Sequence, residues 1–143
     1  MTRFYLREIA HARAGDKGDT NNIGVVAYQP KFYPLILVQV TPERVREHFR
    51  GIVKGNIKRY ELPTLYAINL VLEQALGGGV TRSLSHDPHG KSYSALILTL
   101  PIEVDDDIVR ELKALGRSSI STQCALRPCE AEGSRRRESP LEP

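Results

Sequence analysis

The stretch Ile57–Gly79 reads IKRYELPTLYAINLVLEQALGGG, and its reading decides the fold. Ile57 to Leu62 predicts a short strand, stopped by Pro63. Thr64 then suits the cap of a helix whose apolar stripe runs Leu65, Ile68, Leu72, Ala75 and Leu76. Gly77-Gly78-Gly79 ends that helix. A strand followed directly by an amphipathic helix points to an α+β domain.

Outward from this stretch the same grammar repeats. Thr41 caps and Pro42 opens a helix carrying Val45, Phe49 and Ile52, with Gly55 beyond its end. Phe32 to Val40 fits either a buried strand or a short helix opened by Pro34. Upstream, Arg3 to Ala10 and Ile23 to Tyr28 read as strands. Downstream, Val80 to His86 and Ser92 to Leu100 read as a hairpin turning at Asp87-Pro88-His89-Gly90. Asp105 precedes a last helix, Asp106 to Leu115, closed by Gly116. The order β-β-α-β-α-β-β-α predicts two layers, an antiparallel or mixed sheet with helices on one face, over residues 1–116. Arg117 to Pro143 is rich in Ser, Arg, Pro and Glu, with little to bury, and is expected to be a disordered tail.

A chain of 143 residues fits one such domain without staples. The net charge of +3 owes much to Arg135, Arg136 and Arg137, and no basic stripe alternates with aromatics, which argues against nucleic acid. The N-terminus lacks the apolar core of a signal peptide, and the longest apolar run, Leu35 to Val38, is too short for a bilayer. A cytoplasmic protein without membrane contact is expected. Cys124 and Cys129 form a lone C-x₄-C with no further partners, so neither a metal nor a cofactor is called for.

Three features invite a functional reading. The first is the charged glycine loop Ala14 to Gly24. Gly15 and Gly18 free the backbone to turn its N–H groups inward, with Lys17 at the apex and Asp16 and Asp19 beside it. A rigid turn with Asn21 and Asn22 making Asx-type bonds is the plain alternative. The loop is neither a P-loop nor an EF-hand, since the spacing of both is missing. The second is Asn69, set in the centre of the apolar helical stripe, where a buried amide needs a partner. The third is the hairpin from Arg82 to Lys91, which is otherwise a solvated tip. Alternation puts Arg82 on the face of Val80 and Leu84, so its guanidinium is expected to meet Asp16, Asp19 or an anionic ligand.

Three strings also resemble one family: LREIAHARAGDKGDTNNIGV at Leu6–Val25, RYELP at Arg59–Pro63, and LYAINLVLEQALGGGVTRSLSHDPHGK at Leu65–Lys91. They look like the C-terminal ferredoxin-fold module of AtuA-like acyclic terpene utilisation proteins, over about Leu6 to Ile102. The resemblance implies a ferredoxin-like fold and a stand-alone module working with a larger AtuA-like partner, and a homo-oligomer is expected besides. It also implies a setting in the breakdown of branched acids carried as acyl-CoA thioesters. Ala14 stands where the family commonly has Ser, which argues against a serine nucleophile there.

Two functions are consistent with these residues. One is an enzyme component, such as a hydratase or lyase, acting on an acyl-CoA or small carboxylate. There Asp16, Lys17 and Asp19 supply the chemistry, and Gly15, Gly18, Asn22, Asn69, Arg82 and Lys91 bind. The other is a non-catalytic assembly module that docks the larger partner.

Overall fold

Alternation of buried and exposed residues, not helical spacing, organises the centre of this protein. The computed structural model describes residues 1–120. Four strands form one antiparallel sheet in the order β2-β3-β5-β4. They are β2 (Ala10–Lys17), β3 (Thr20–Ala27), β4 (Ile57–Leu62) and β5 (Ala67–Leu72). A second antiparallel pair joins β1 (Thr2–Tyr5) to β6 (Pro101–Val104). The helices are α1 (Tyr33–Gln39), α2 (Pro42–His48), α3 (Tyr93–Ile97) and α4 (Asp106–Ala114). This is an α+β, ferredoxin-like arrangement.

The inward face of the sheet carries Ala14, Ile23, Val25, Ile68, Leu70 and Leu72, all buried. They share one core with Phe32 and Ile36 of the α1 segment, Val45 and Phe49 of the α2 segment, Ile97 of α3, and Val109 and Leu112 of α4. Burying that many aliphatic side chains supplies the driving force, roughly 1.5–3 kcal/mol for each large one. The opposite face of the sheet is left open. It presents His11, Arg13, Gly15 and Lys17 from β2, and Lys58, Tyr60 and Leu62 from β4.

Several expectations are corrected here. The helix expected from Thr64 is a single 3-10 turn, Pro63–Leu65, followed by β5. Tyr66, at φ 49°, bends the chain out of that turn. Ile68, Leu70 and Leu72 then satisfy a two-residue period, and β5 is hydrogen-bonded on both edges, to β3 and β4. Two neighbouring strands outweigh a weak local helical preference. Val80 to His86 forms no strand, because its apolar positions find nothing to cover: Leu84 is fully exposed. The segment expected as a strand from Ser92 to Leu100 contains α3 instead. Asp87 starts it by accepting from the Ser92 N–H at 2.7 Å and the Ser92 hydroxyl at 2.6 Å.

The stretch Arg13 to Asn22 is not a long loop but most of a β-hairpin, with Lys17 paired to Thr20. Arg3 to Ala10 divides into β1 and a 3-10 turn at Leu6–Glu8. The open choice at Phe32 to Val40 resolves as helix. Arg117 and Ile120 still contact the domain: Arg117 lies 3.6 Å from Glu8, and the Ile120 N–H donates to the Arg3 carbonyl. The remainder of the expected tail, with Cys124 and Cys129, lies outside the described residues.

Candidate functional site

The site is built on the β2–β3 hairpin. Its turn has two central residues, Gly18 and Asp19, with Gly18 at φ +67°. A left-handed first residue suits the twist of a two-residue hairpin and favours glycine there. Strand alternation then sends Arg13, Gly15 and Lys17 to the open face, beside Asn22 and Gly24 of β3. Neither glycine carries a side chain, so the sheet is bare at that point. A Cβ on Gly24 would meet nothing within 4 Å.

The segment between β5 and α3 folds back over the hairpin and delivers a further cation. Five hydrogen bonds with Asp19 and Asn21 hold it. The Asp19 carboxylate accepts from the N–H groups of Leu76 at 3.1 Å and Gly78 at 2.8 Å. The backbone carbonyl of Asp19 accepts from Ala75 at 2.9 Å. The Asn21 amide, fully buried, donates to the carbonyls of His89 and Gly90 at 3.2 and 3.1 Å. Lys91 follows directly and reaches across β2, its Nζ 3.4 Å from the Ala14 carbonyl.

Arg13, Ala14, Gly15, Asp16, Lys17, Asn22, Gly24 and Lys91 enclose an open cavity of about 540 Å³. Three of its side chains are cationic and one is a carboxylate. Among the described residues, Arg13, Lys17 and Lys91 belong to no ion pair. Unpaired cations converging on a bare backbone floor suit an anion, since each loses repulsion when negative charge enters.

The structure thus gathers Gly15, Asp16, Lys17, Asn22 and Lys91 in one place. It does not gather the others. Gly18 forms the turn and Asp19 fastens the crossing segment, so neither lines the cavity. Arg82 is exposed and makes no ion pair with Asp16 or Asp19 among the described residues. The apolar face expected to bury it does not form, so its guanidinium stays in water. Asn69 lies in β5 rather than in a helical stripe, and it is half-buried on the open face, paired with Gly24. Sequence reasoning read Asn21 only as a turn residue and gave Arg13 and Gly24 no role in the site. Their signal was the two-residue spacing Arg13, Gly15, Lys17, which places three residues on one face once a hairpin is recognised.

Beside the cavity, partial burial of Asp87 works against its ionisation. The hydrogen bonds it accepts from Ser92, Lys91 and Gly90 outweigh that burial and hold its carboxyl below the ordinary value. The same network fixes the backbone from Gly90 to Ser92 and with it the root of Lys91. Burial, aided by Asp87 and Asp19, pushes the Tyr93 phenol up, and its hydroxyl donates to the Ala75 carbonyl at 2.7 Å. No group of three or more His, Cys, Asp or Glu able to hold a metal occurs among the described residues. No described helix is long and apolar enough to cross a membrane.

The family model described as the AtuA ferredoxin-like domain matches residues 4–103, a span that contains the whole cavity. Comparison with curated proteins and with solved structures gave no match.

Proposed function

The chain belongs to the AtuA ferredoxin-like domain family, and on that premise we propose that it is the anion-binding small component of an AtuA-like catabolic system. Its ligand is an acyl-CoA or a branched carboxylate, held by its negative group in the hairpin cavity. The observation that carries this reading is the convergence of Arg13, Lys17 and Lys91, unpaired among the described residues, over Gly15 and Gly24. Among the described residues Asp16 is the only carboxylate lining the cavity, so Asp16 and Lys17 are the groups available for any proton transfer of a hydratase or lyase step. Asp19 has no such role, being committed to backbone N–H groups.

Titration calorimetry with isovalerate, acetyl-CoA and inorganic pyrophosphate tests the reading. Binding of at least one probe is expected, weakened about tenfold or more by Arg13→Ala and by Lys91→Ala, and weakened by salt. No binding, or binding indifferent to both variants, rejects it.

A second reading is supported by the half-exposed Tyr60, Leu62, Leu65 and Tyr66. These apolar side chains suit a non-catalytic module that docks a larger AtuA-like protein through its open sheet. Copurification that survives Lys91→Ala but fails on Leu62→Asp would favour docking over ligand binding.

A further inference from the structure

The open face continues past the cavity across the sheet. The pairing registers place Arg13 opposite Gly24, Gly24 opposite Asn69, and Asn69 opposite Tyr60. This single row runs from a cation, over a gap left by glycine, past an amide, to a phenol ring. Its ends are three inter-strand steps apart, about 14 Å at roughly 4.8 Å for each step. Asn69 makes no side-chain hydrogen bond among the described residues, although its amide can donate and accept.

Tyr60 differs from the other exposed aromatic rings. Tyr28 is occupied by the His11 ring at 5.5 Å and by the Arg117 guanidinium at 5.3 Å. Tyr66 is engaged edgewise with Tyr33 at 6.2 Å. Tyr60 is 53% exposed, and no aromatic ring or cation stacks on it among the described residues. An unengaged ring on an antiparallel sheet is a stacking platform for a flat base.

We propose that the cavity binds a nucleotide-type ligand lying across the sheet, its phosphates among Arg13, Lys17 and Lys91 and its base on Tyr60. Asn69 hydrogen-bonds the part between, over the opening at Gly24. A simple carboxylate would use the cationic end and leave the rest of the row idle. A diphosphate joined to a base uses all of it, and its several negative charges match a cavity with three cations and one carboxylate. This deepens the anion-binding reading above and rests on it. The shared chemistry is a nucleoside diphosphate, whether free or as the head of a coenzyme A thioester.

Calorimetry of the full chain with inorganic pyrophosphate, ADP and coenzyme A tests the proposal. ADP should bind about tenfold or more tighter than pyrophosphate. Tyr60→Ala should erase that advantage while pyrophosphate affinity stays, and Tyr60→Phe should keep it. Asn69→Ala should lower ADP affinity and spare pyrophosphate. Coenzyme A binding tighter than ADP assigns the ligand to acyl carriers, and equal binding assigns it to nucleotides; both support the row. Equal affinity for ADP and pyrophosphate in the natural protein overturns the proposal and leaves the anion cavity standing. So does an ADP advantage that survives Tyr60→Ala in a variant of unchanged melting temperature. Pyrophosphate binding that is absent, or indifferent to Lys91→Ala, overturns the anion reading and the proposal together.

Discussion

The buried amide of Asn21 donates to the Gly90 carbonyl at 3.1 Å, and a Cβ on Gly90 would stand only 2.4 Å from the same nitrogen. The contact leaves no room for a methyl group, since Leu76 would also lie 2.7 Å away. Gly90 also sits at φ +64°, a region that side chains rarely adopt. Backbone conformation and packing thus demand the same residue at one position.

Gly90→Ala should therefore destabilise the domain by about 2–4 kcal/mol, through overpacking and backbone strain together. Asn21→Ala should cost about 1–3 kcal/mol, because the carbonyls of His89 and Gly90 lose their donor. Urea denaturation at neutral pH measures both. If Gly90→Ala unfolds at the natural midpoint, the crossing segment does not rest on Asn21 as described.

Asp19 makes a contrasting case, because its carboxylate accepts from backbone N–H groups and does not line the cavity. It fastens Leu76 and Gly78 to the hairpin turn. Asp19→Ala should cost about 1–3 kcal/mol, while Asp19→Asn, which keeps an acceptor oxygen, should recover much of it. Amide exchange at Gly78 should accelerate in the alanine variant. Anion binding by Asp19→Asn within about threefold of the natural protein is expected, and its complete loss would return Asp19 to the ligand.

The difference between foresight and structure is sharpest at Ala67–Leu72. Leu65, Ile68, Leu72 and Leu76 keep helical spacing, yet Ile68, Leu70 and Leu72 keep strand spacing, so periodicity alone does not separate the two. Pro63 does end β4, but Thr64 caps nothing: it lies inside one 3-10 turn whose N-cap is Leu62, with no side-chain cap bond. What selected the strand was pairing with β3 and β4, a non-local fact absent from any local window. Local chemistry was legible where it was self-contained: Thr41 accepts from Arg44 N–H at 3.4 Å, and α2 follows it. In the site, Lys17 and Gly15 were visible because charge and glycine stand out in sequence. Asn21 was read as an ordinary turn residue, since its partners His89 and Gly90 are far along the chain.

Acid should weaken the anchoring of Lys91. The folded Asp87 carboxyl lies below its ordinary value of 3.8, because accepted hydrogen bonds favour the ionised form over the opposing effect of partial burial. A carboxyl depressed in the folded state stabilises fully above the unfolded value, and that stability is lost as pH falls through the folded value. Glu73 acts in the same direction through Lys58, 2.7 Å away. Stability measured by urea titration should therefore decline below about pH 4. Asp87→Asn should flatten part of that decline while lowering stability at neutral pH. A decline of identical size in Asp87→Asn would place the acid sensitivity elsewhere.

Gly24 separates the needs of the fold from those of the ligand. It lies in β3 outside the positive-φ region, and a Cβ there meets nothing within 4 Å. Glycine inside a strand is an entropic cost of roughly 0.5–1 kcal/mol, and valine suits a pleated surface. Gly24→Val should leave stability unchanged or raise it by up to about 1 kcal/mol. The same side chain would project into the cavity between Arg13 and Asn69, its neighbours across the sheet. Anion binding should then fall by about tenfold or more while the melting temperature holds or rises, a pairing that general destabilisation does not produce. Calorimetry with pyrophosphate beside a thermal melt measures both quantities. Unchanged binding in a stable Gly24→Val variant would mean that the ligand does not cross the open face at this glycine. Lost stability would mean instead that β3 uses the absence of a side chain for packing, and that the bare floor belongs to the fold rather than to the ligand.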